Sequence, residues 1–264
     1  MLYEDQAAGF DERAAISAEV GESVAAAVAE IAGLRQADTL LDIGAGTGML
    51  SLYFIMQPIR YVGFDLSPAM LAVFREKVEA ARLCAELLVA DGNGRWPIED
   101  GSVAAIFSAR ALHHVSVDHA VAETRRVLRP EGGWLILGRV RRPDDSVKPT
   151  LRRQMLKLLE EEGYSGRNRD THAEALFSAL EEAIGGERAQ PRVAGRWTRG
   201  HAPLDSIVAW QGKEGLAGYN ITEEVKERVL AQLLVWAKAR YGNLEAPLEQ
   251  EEYFQLEAIY VQAA

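Results

Sequence analysis

A glycine-rich run is the first feature of this sequence that could do chemistry: it reads Leu40-Leu41-Asp42-Ile43-Gly44-Ala45-Gly46-Thr47-Gly48. Its apolar start predicts a buried strand, and its glycines allow a tight turn that a ligand can approach closely. A dinucleotide fingerprint would need a third glycine at Met49, and a phosphate-binding P-loop would need Gly-Lys-Ser/Thr, so the run fits neither pattern. Asp42, inside the strand, favours a cationic ligand over a pyrophosphate.

Two further carboxylates follow predicted strands. Asp65 ends the run Tyr61-Val62-Gly63-Phe64-Asp65, which places its two acceptor oxygens where a ribose would lie, about twenty residues past the loop. Asp91 ends the run Val89-Ala90-Asp91-Gly92 and suits an exocyclic amine. Because the carboxyl ends of parallel strands meet at one edge of the sheet, these acidic groups predict a site for an adenosyl group carrying positive charge.

A third set of candidate residues follows the fourth predicted strand. Ser108 ends that strand beside the expected crevice, and Arg110 could bind an anionic substrate group or form a surface salt bridge. His113 is the first candidate for a general base and His114 the second, because histidine titrates in the useful range. The alternative for these histidines is a hydrogen bond to the backbone or a role in anchoring the next helix.

The segments that must position these residues alternate between strands and helices. Strands are predicted at residues 39–43, 60–65, 86–90, 103–108, 133–138, 192–198 and 252–262. An amphipathic helix precedes the first strand, with Ile16 to Ile31 as its apolar stripe and Gly33 as its stop. Alternation of this kind predicts an α/β fold with a parallel sheet, and the chain becomes mostly helical after Arg142.

Four of these motifs together resemble the class I S-adenosylmethionine (SAM)-dependent methyltransferases, in the broad group acting on small molecules. LDIGAGTG is similar to the first motif of that family, FDLSPAML to the second, VADG to the third, and VLRPEGG to the turn before its fifth strand. The resemblance covers residues 39–138. It implies a doubly wound, mostly parallel seven-stranded sheet of the Rossmann-like methyltransferase type, with an antiparallel C-terminal strand and helical lid insertions.

The resemblance also implies roles for individual residues and a reaction product, S-adenosylhomocysteine (SAH). The loop would line the methionine moiety, Asp65 would bind the ribose, Leu66 would contact the adenine, and Asp91 and Gly92 would take the adenine edge. The implied cofactor set is Asp42, Gly44, Ala45, Gly46, Gly48, Asp65, Leu66, Asp91, Gly92 and Ser108. Many relatives close over the cofactor with a Tyr-Asp pair, and the matching pair here is Phe10-Asp11, which lacks the hydroxyl.

Composition narrows the classes of partner. The net charge of −10 disfavours nucleic acid, as does the lack of an Asn/Asp-Pro-Pro-aromatic run after the fourth strand. No stretch of eighteen uncharged apolar residues occurs, so no membrane span is predicted. The acidic N-terminus and the single cysteine, Cys84, lead us to expect a cytoplasmic protein without disulfides or a metal. The sequence makes no prediction of oligomeric state.

The leading hypothesis is a methyltransferase for a small, partly apolar acceptor that is enclosed by a helical cover. We divide the chain into an N-terminal helix and SAM-binding sheet (1–142), helices with a returning strand (143–202), a helical lid (203–241) and a final strand (242–264). Trp210 and Tyr219 are candidates for the acceptor pocket. The alternatives are a non-catalytic SAM-binding protein, a methyltransferase acting on a protein, and a SAM-fold enzyme of other chemistry; the atom that receives the methyl group stays open.

Overall fold

The computed structural model describes residues 16–109, 111–165 and 171–262. The helices are α1 (Ala18–Ala32), α2 (Ser51–Ile55), α3 (Pro68–Ala80), α4 (Val117–Val127), α5 (Val147–Glu161), α6 (Thr171–Ile184), α7 (Pro203–Gln211) and α8 (Glu223–Tyr241). The strands are β1 (Thr39–Ile43), β2 (Arg60–Asp65), β3 (Glu86–Val89), β4 (Ala105–Ala109), β5 (Gly133–Arg141), β6 (Glu187–Arg188), β7 (Arg192–His201) and β8 (Leu248–Val261). None of these helices combines the length and the apolar character that a membrane span needs.

The strands form one mixed sheet with the order β3-β2-β1-β4-β5-β8-β6, and β7 pairs with β8. Strands β1 to β5 pair in parallel, whereas β6 pairs with β8 antiparallel. The order reverses between β1 and β4, which is the switch point where open α/β sheets bind ligands. The predicted doubly wound, mostly parallel fold is confirmed.

Within the described residues the sheet has eight strands rather than the predicted seven. The additional strand, β6, has only two residues, which is too short for an alternating pattern in the sequence. Strand β4 also begins two residues later than predicted, because Val103 forms an isolated bridge with Leu128 instead of joining the strand.

The elements around the site form for local reasons. All five residues of β1 are buried, which is typical of a central parallel strand, and Leu40, Leu41 and Ile43 supply its apolar side chains. The predicted first helix is confirmed as α1: the Ser17 hydroxyl accepts from the amide of Val20, and Gly33 ends the helix at φ 57°. Within α1, Gly21 leaves room for Tyr53, because a Cβ there would lie 2.2 Å from the ring.

The chain divides into two compact units. Of the described residues, unit 1 contains 16–109, 111–140, 171–195 and 254–262, and unit 2 contains 141–165 and 196–253. The core of unit 1 is built on the parallel strands, with Leu41, Phe64 and Ile106 among its buried side chains. Unit 2 has an apolar core of its own, to which α5, α7 and α8 contribute side chains such as Leu151, Ile207 and Leu233. The lid prediction for residues 203–241 stays a prediction.

Candidate functional site

The glycine loop between β1 and α2 is built from left-handed backbone. Gly44, Gly46 and Gly48 have φ values of 75°, 55° and 73°, a region that side chains disfavour. The amides of Gly44 and Ala45 both donate to the carbonyl of Phe64, at 2.9 and 3.0 Å, which ties the loop to the end of β2. The loop therefore has a defined shape that only glycine supports without strain.

The space around the three glycines differs. A Cβ at Gly44 would lie 2.1 Å from the Cβ of Ala111, and one at Gly48 would lie 2.0 Å from the ring of Phe74. A Cβ at Gly46 would meet nothing nearer than a backbone oxygen at 3.9 Å. Two of the glycines therefore allow close packing within the protein, while Gly46 borders space that a ligand can enter.

Asp65 clamps this loop. Its Oδ2 accepts from the amide of Gly46 and its Oδ1 from the amide of Ser67, both at 2.9 Å, so the carboxylate joins the loop to the start of α3. An ionised carboxylate offers about four lone-pair sites, which leaves acceptor capacity for the hydroxyls of a ribose. The adjoining Leu66 is 62% exposed, an apolar surface suited to a base. The residues predicted to contact the ribose and the adenine, Asp65 and Leu66, are thus adjacent at the end of β2.

Asp42 is the buried member of the acidic set, with 2% of its surface exposed. Its Oδ2 accepts from the hydroxyls of Ser51 at 2.5 Å and Tyr61 at 2.8 Å. Burial raises the pKa of Asp42 to about 6. The two hydrogen bonds lower this pKa, and the nearby charge of Asp65 raises it slightly, so burial is the dominant effect. The carboxylate therefore holds α2 and β2 together behind the loop, and its direct contact with a cofactor stays a prediction.

Thermal unfolding of Asp42→Asn tests whether ionisation of this buried carboxylate lowers the stability of the folded protein. Since the folded pKa lies above the unfolded value of 3.8, stability from this group is present below pH 3.8 and is lost as pH rises through about 6. At about pH 8 the buried charge costs on the order of 3 kcal/mol, so the neutral variant should unfold at a higher temperature than the wild type. This difference in unfolding temperature between the variant and the wild type should shrink near about pH 4.5, as measured by thermal unfolding. An equal gap at both pH values, or a similar gap in the exposed control Asp145→Asn, would contradict this.

The loop after β3 carries Asp91 and Gly92. Asp91 is exposed, and its Oδ1 accepts from the amide of Asn93 at 2.9 Å. The Gly92 carbonyl accepts from Nε1 of the fully buried Trp96 at 2.9 Å. A buried indole thus anchors this loop while the Asp91 carboxylate stays accessible to a ligand.

A polar cluster that sequence reasoning missed supports Trp96. Its amide donates to Glu123 Oε2 at 2.7 Å, and Arg126 pairs with the same carboxylate at 2.5 Å. Burial works to raise the pKa of Glu123, but the hydrogen bonds from Arg126 and Trp96 lower it below its ordinary value. The sequence feature that could have indicated this cluster is a tryptophan within an otherwise polar segment, DGNGRWPIEDG, because a large aromatic side chain there is expected to be buried.

The residues after β4 lie at the switch point. Ser108 is 1% exposed, and its Oγ donates to the carbonyl of Ile43 at 2.8 Å, so this hydroxyl joins β4 to β1. His113 and His114 lie in a 3₁₀ turn, Leu112–His114, and are both exposed, with ring centroids 3.9 Å apart. The cofactor contact of Ser108 and the base role of the histidines stay predictions. Arg110 and the Phe10-Asp11 pair lie outside the described residues.

The two pocket candidates lie in unit 2. Trp210 is 9% exposed and belongs to the apolar core of that unit, so packing accounts for its position. Tyr219 is half-buried, with its ring 5.9 Å from that of Tyr164. Their contact with an acceptor stays a prediction.

Together, the fold and the site define a class. A glycine turn at the switch point, a carboxylate at the end of β2 with an exposed leucine beside it, and a second carboxylate after β3 fit a positively charged adenosyl ligand. This is the arrangement of a class I SAM-dependent methyltransferase domain, and its cofactor is SAM.

Comparison with known proteins agrees with that class. The family model described as a methyltransferase domain matches residues 40–132, which are 93 of the 264 residues of the chain. An uncharacterised methyltransferase of Mycobacterium tuberculosis is 37% identical over 93 residues, which are 35% of this chain and 36% of that protein. The malonyl-[acyl-carrier protein] O-methyltransferase of Methylococcus capsulatus is 35% identical over 133 residues, 48% of this chain and 46% of that protein.

Structural likeness extends further along the chain. The crystal structure of the YcgJ protein from Bacillus subtilis matches with a TM-score of 0.54 at 19% identity, covering 91% of this chain and 98% of that one. Such a likeness concerns the fold. The chain spans about a third to a half of the two curated relatives, so the activity of the whole protein is a matter for proposal.

Proposed function

We propose that this protein transfers a methyl group from SAM to a small, partly apolar organic acceptor. The observation that carries the proposal is the glycine loop clamped by Asp65, with open space at Gly46 and the exposed Leu66 next to the clamp. The methyltransferase domain match over residues 40–132 supports the reaction class.

Bound SAM supplies an electrophilic methyl group on a sulfonium. The contribution of this chain is to bind and to orient. Asp65 would hold the ribose, the glycine loop would line the methionine moiety, and the residues after β4 lie at the switch point. Holding a nucleophile and a methyl group in line is worth up to about 7–11 kcal/mol of the barrier. A proton acceptor is needed only where the nucleophile carries a proton, and His113 and His114 are the candidates for that role.

The Methylococcus capsulatus relative is named for O-methylation of a malonyl group on acyl carrier protein. By analogy, a small acid is one suitable acceptor for this chain. A carboxylate oxygen carries no proton at neutral pH, so such an acceptor would be methylated without a base. The contribution of His113 to turnover therefore reports on the class of nucleophile.

The proposal is tested by calorimetry with SAM and by incubation with methyl-labelled SAM and a library of small acceptors. Label on a small molecule is the expected result. Label on added protein would favour the protein methyltransferase, and SAM binding without any transfer would favour the non-catalytic protein. Binding of NADH without SAM would overturn the cofactor assignment itself.

His113→Ala tests the base on the acceptor that this library identifies. For an acceptor that loses a proton in the slow step, turnover should fall by about 10²–10⁴ while SAM affinity holds. His119→Ala is the matched control, because that ring contacts the carbonyl of Gly94 at 2.9 Å, which is a structural role. Retained turnover with a lowered melting temperature in His113→Ala would show that the residue only supports the turn.

A further inference from the structure

The side chain of Asn93 joins the loop after β3 to the loop after β4. Its Nδ2 donates to the carbonyl of His114 at 3.1 Å, and its Oδ1 accepts from the amide of Ser116 at 3.1 Å. One amide group therefore pairs with backbone groups on both sides of Val115, as a neighbouring strand would. This pairing fixes the peptide that follows the histidine turn.

The same residue also contacts the carboxylate expected at the adenine. The amide of Asn93 donates to Asp91 Oδ1 at 2.9 Å, so a single residue connects Asp91 to the His114 carbonyl. The two loops are closely packed at this point, because a Cβ on Gly92 would lie 2.8 Å from Cγ2 of Val115. Because the two loops are in close contact, a displacement of Asp91 on ligand binding would also displace the loop after β4.

The histidine pair lies directly before that connection. Its 3₁₀ turn has only three residues, Leu112–His114, and is followed by Val115, with the amide of His114 donating to the carbonyl of Ala111 at 3.0 Å. The Asn93 hydrogen bond holds the carbonyl of His114, the last residue of the short turn that carries both rings.

We propose that Asn93 is a positioning residue that couples occupancy of the adenine end of the site to the orientation of His113 and His114. This inference rests on the proposed function, since it takes SAM or SAH as the ligand at Asp91. In this proposal Asn93 acts through its hydrogen bonds to Asp91 and to the His114 carbonyl rather than on the reacting atoms. Its neutral amide supplies one donor and one acceptor, a combination that aspartate lacks because an ionised carboxylate only accepts.

NMR of the histidine imidazoles during a titration with SAH tests the coupling. In the wild type, we expect SAH to shift the resonances of His113 and His114. In Asn93→Ala, both side-chain hydrogen bonds are lost, so the SAH-induced shift should fall by about half or more. SAH affinity by calorimetry should weaken by less than about tenfold, because the backbone amide of residue 93 still donates to Asp91. Asn93→Asp keeps the acceptor for Ser116 and loses the donor to His114, so it should show the same loss even if Asn93→Ala fails to fold.

The matched control is Arg95→Ala, in the same loop, which removes an exposed ion pair with Asp100 and should leave the histidine response intact. Histidine shifts of wild-type size in both Asn93 variants would overturn the coupling. Absence of SAH binding to the wild type would instead overturn the proposed function, and calorimetry separates the two outcomes. SAH binding without any histidine shift in the wild type would also refute the coupling alone.

Discussion

Gly44→Ala is expected to lower SAM affinity by at least about 100-fold, as measured by calorimetry. The residue has φ 75°, where a side chain costs roughly 1–2 kcal/mol, and its new Cβ would lie 2.1 Å from the Cβ of Ala111. Overpacking of this kind adds about 1–3 kcal/mol, and the loop must move to relieve it. Movement would break the hydrogen bonds that the Gly44 and Ala45 amides make to Phe64.

Two variants separate the clash from the backbone strain. Gly33 has φ 57° with nothing within 4 Å, so Gly33→Ala should lose about 1 kcal/mol of stability and keep its SAM affinity. The double variant Gly44→Ala/Ala111→Gly removes the facing Cβ and should recover the share of affinity lost to the clash. Wild-type affinity in Gly44→Ala would show that the loop does not hold the cofactor in this conformation.

Asp65→Ala is expected to weaken SAM binding by about 100-fold or more. Hydrogen bonds from ribose hydroxyls to a charged acceptor are worth about 1.5–3 kcal/mol, or roughly 10- to 150-fold in affinity. The truncation also leaves the amides of Gly46 and Ser67 without their acceptor, so the loop loses its tie to α3. The expected loss is therefore at the upper end of that range, measured by calorimetry together with thermal unfolding.

Asp38→Ala is the control for Asp65→Ala. Asp38 also accepts from a backbone amide, that of Arg35 at 2.8 Å, and it pairs with Arg129 at 3.1 Å. This variant should lose stability without losing SAM affinity, because the carboxylate precedes β1 rather than following a strand. Equal losses of affinity in the two variants would mean that Asp65 acts only through stability.

Much of the fold could be predicted from the sequence because its signals are local. The buried β1 is indicated by its mostly apolar sequence, and α1 by a periodic apolar stripe between Ser17 and the left-handed Gly33. The two-residue β6 was not predicted from the sequence, because it forms only by pairing with Tyr260 and Ile259, which are more than seventy positions away.

The amino-acid sequence by itself determined which groups are proposed for the cofactor site, because the proposal depends on residue type and on strand ends: the glycine loop, Asp65 and Asp91. Only the tertiary structure decided how those groups are held. Asp42 contacts Tyr61, nineteen positions away, and Trp96 contacts Glu123, twenty-seven positions away. Asn93, in the loop after β3, contacts His114 and Ser116 in the loop after β4. Such contacts have no period along the chain, since they form where the sheet brings distant strand ends to one edge.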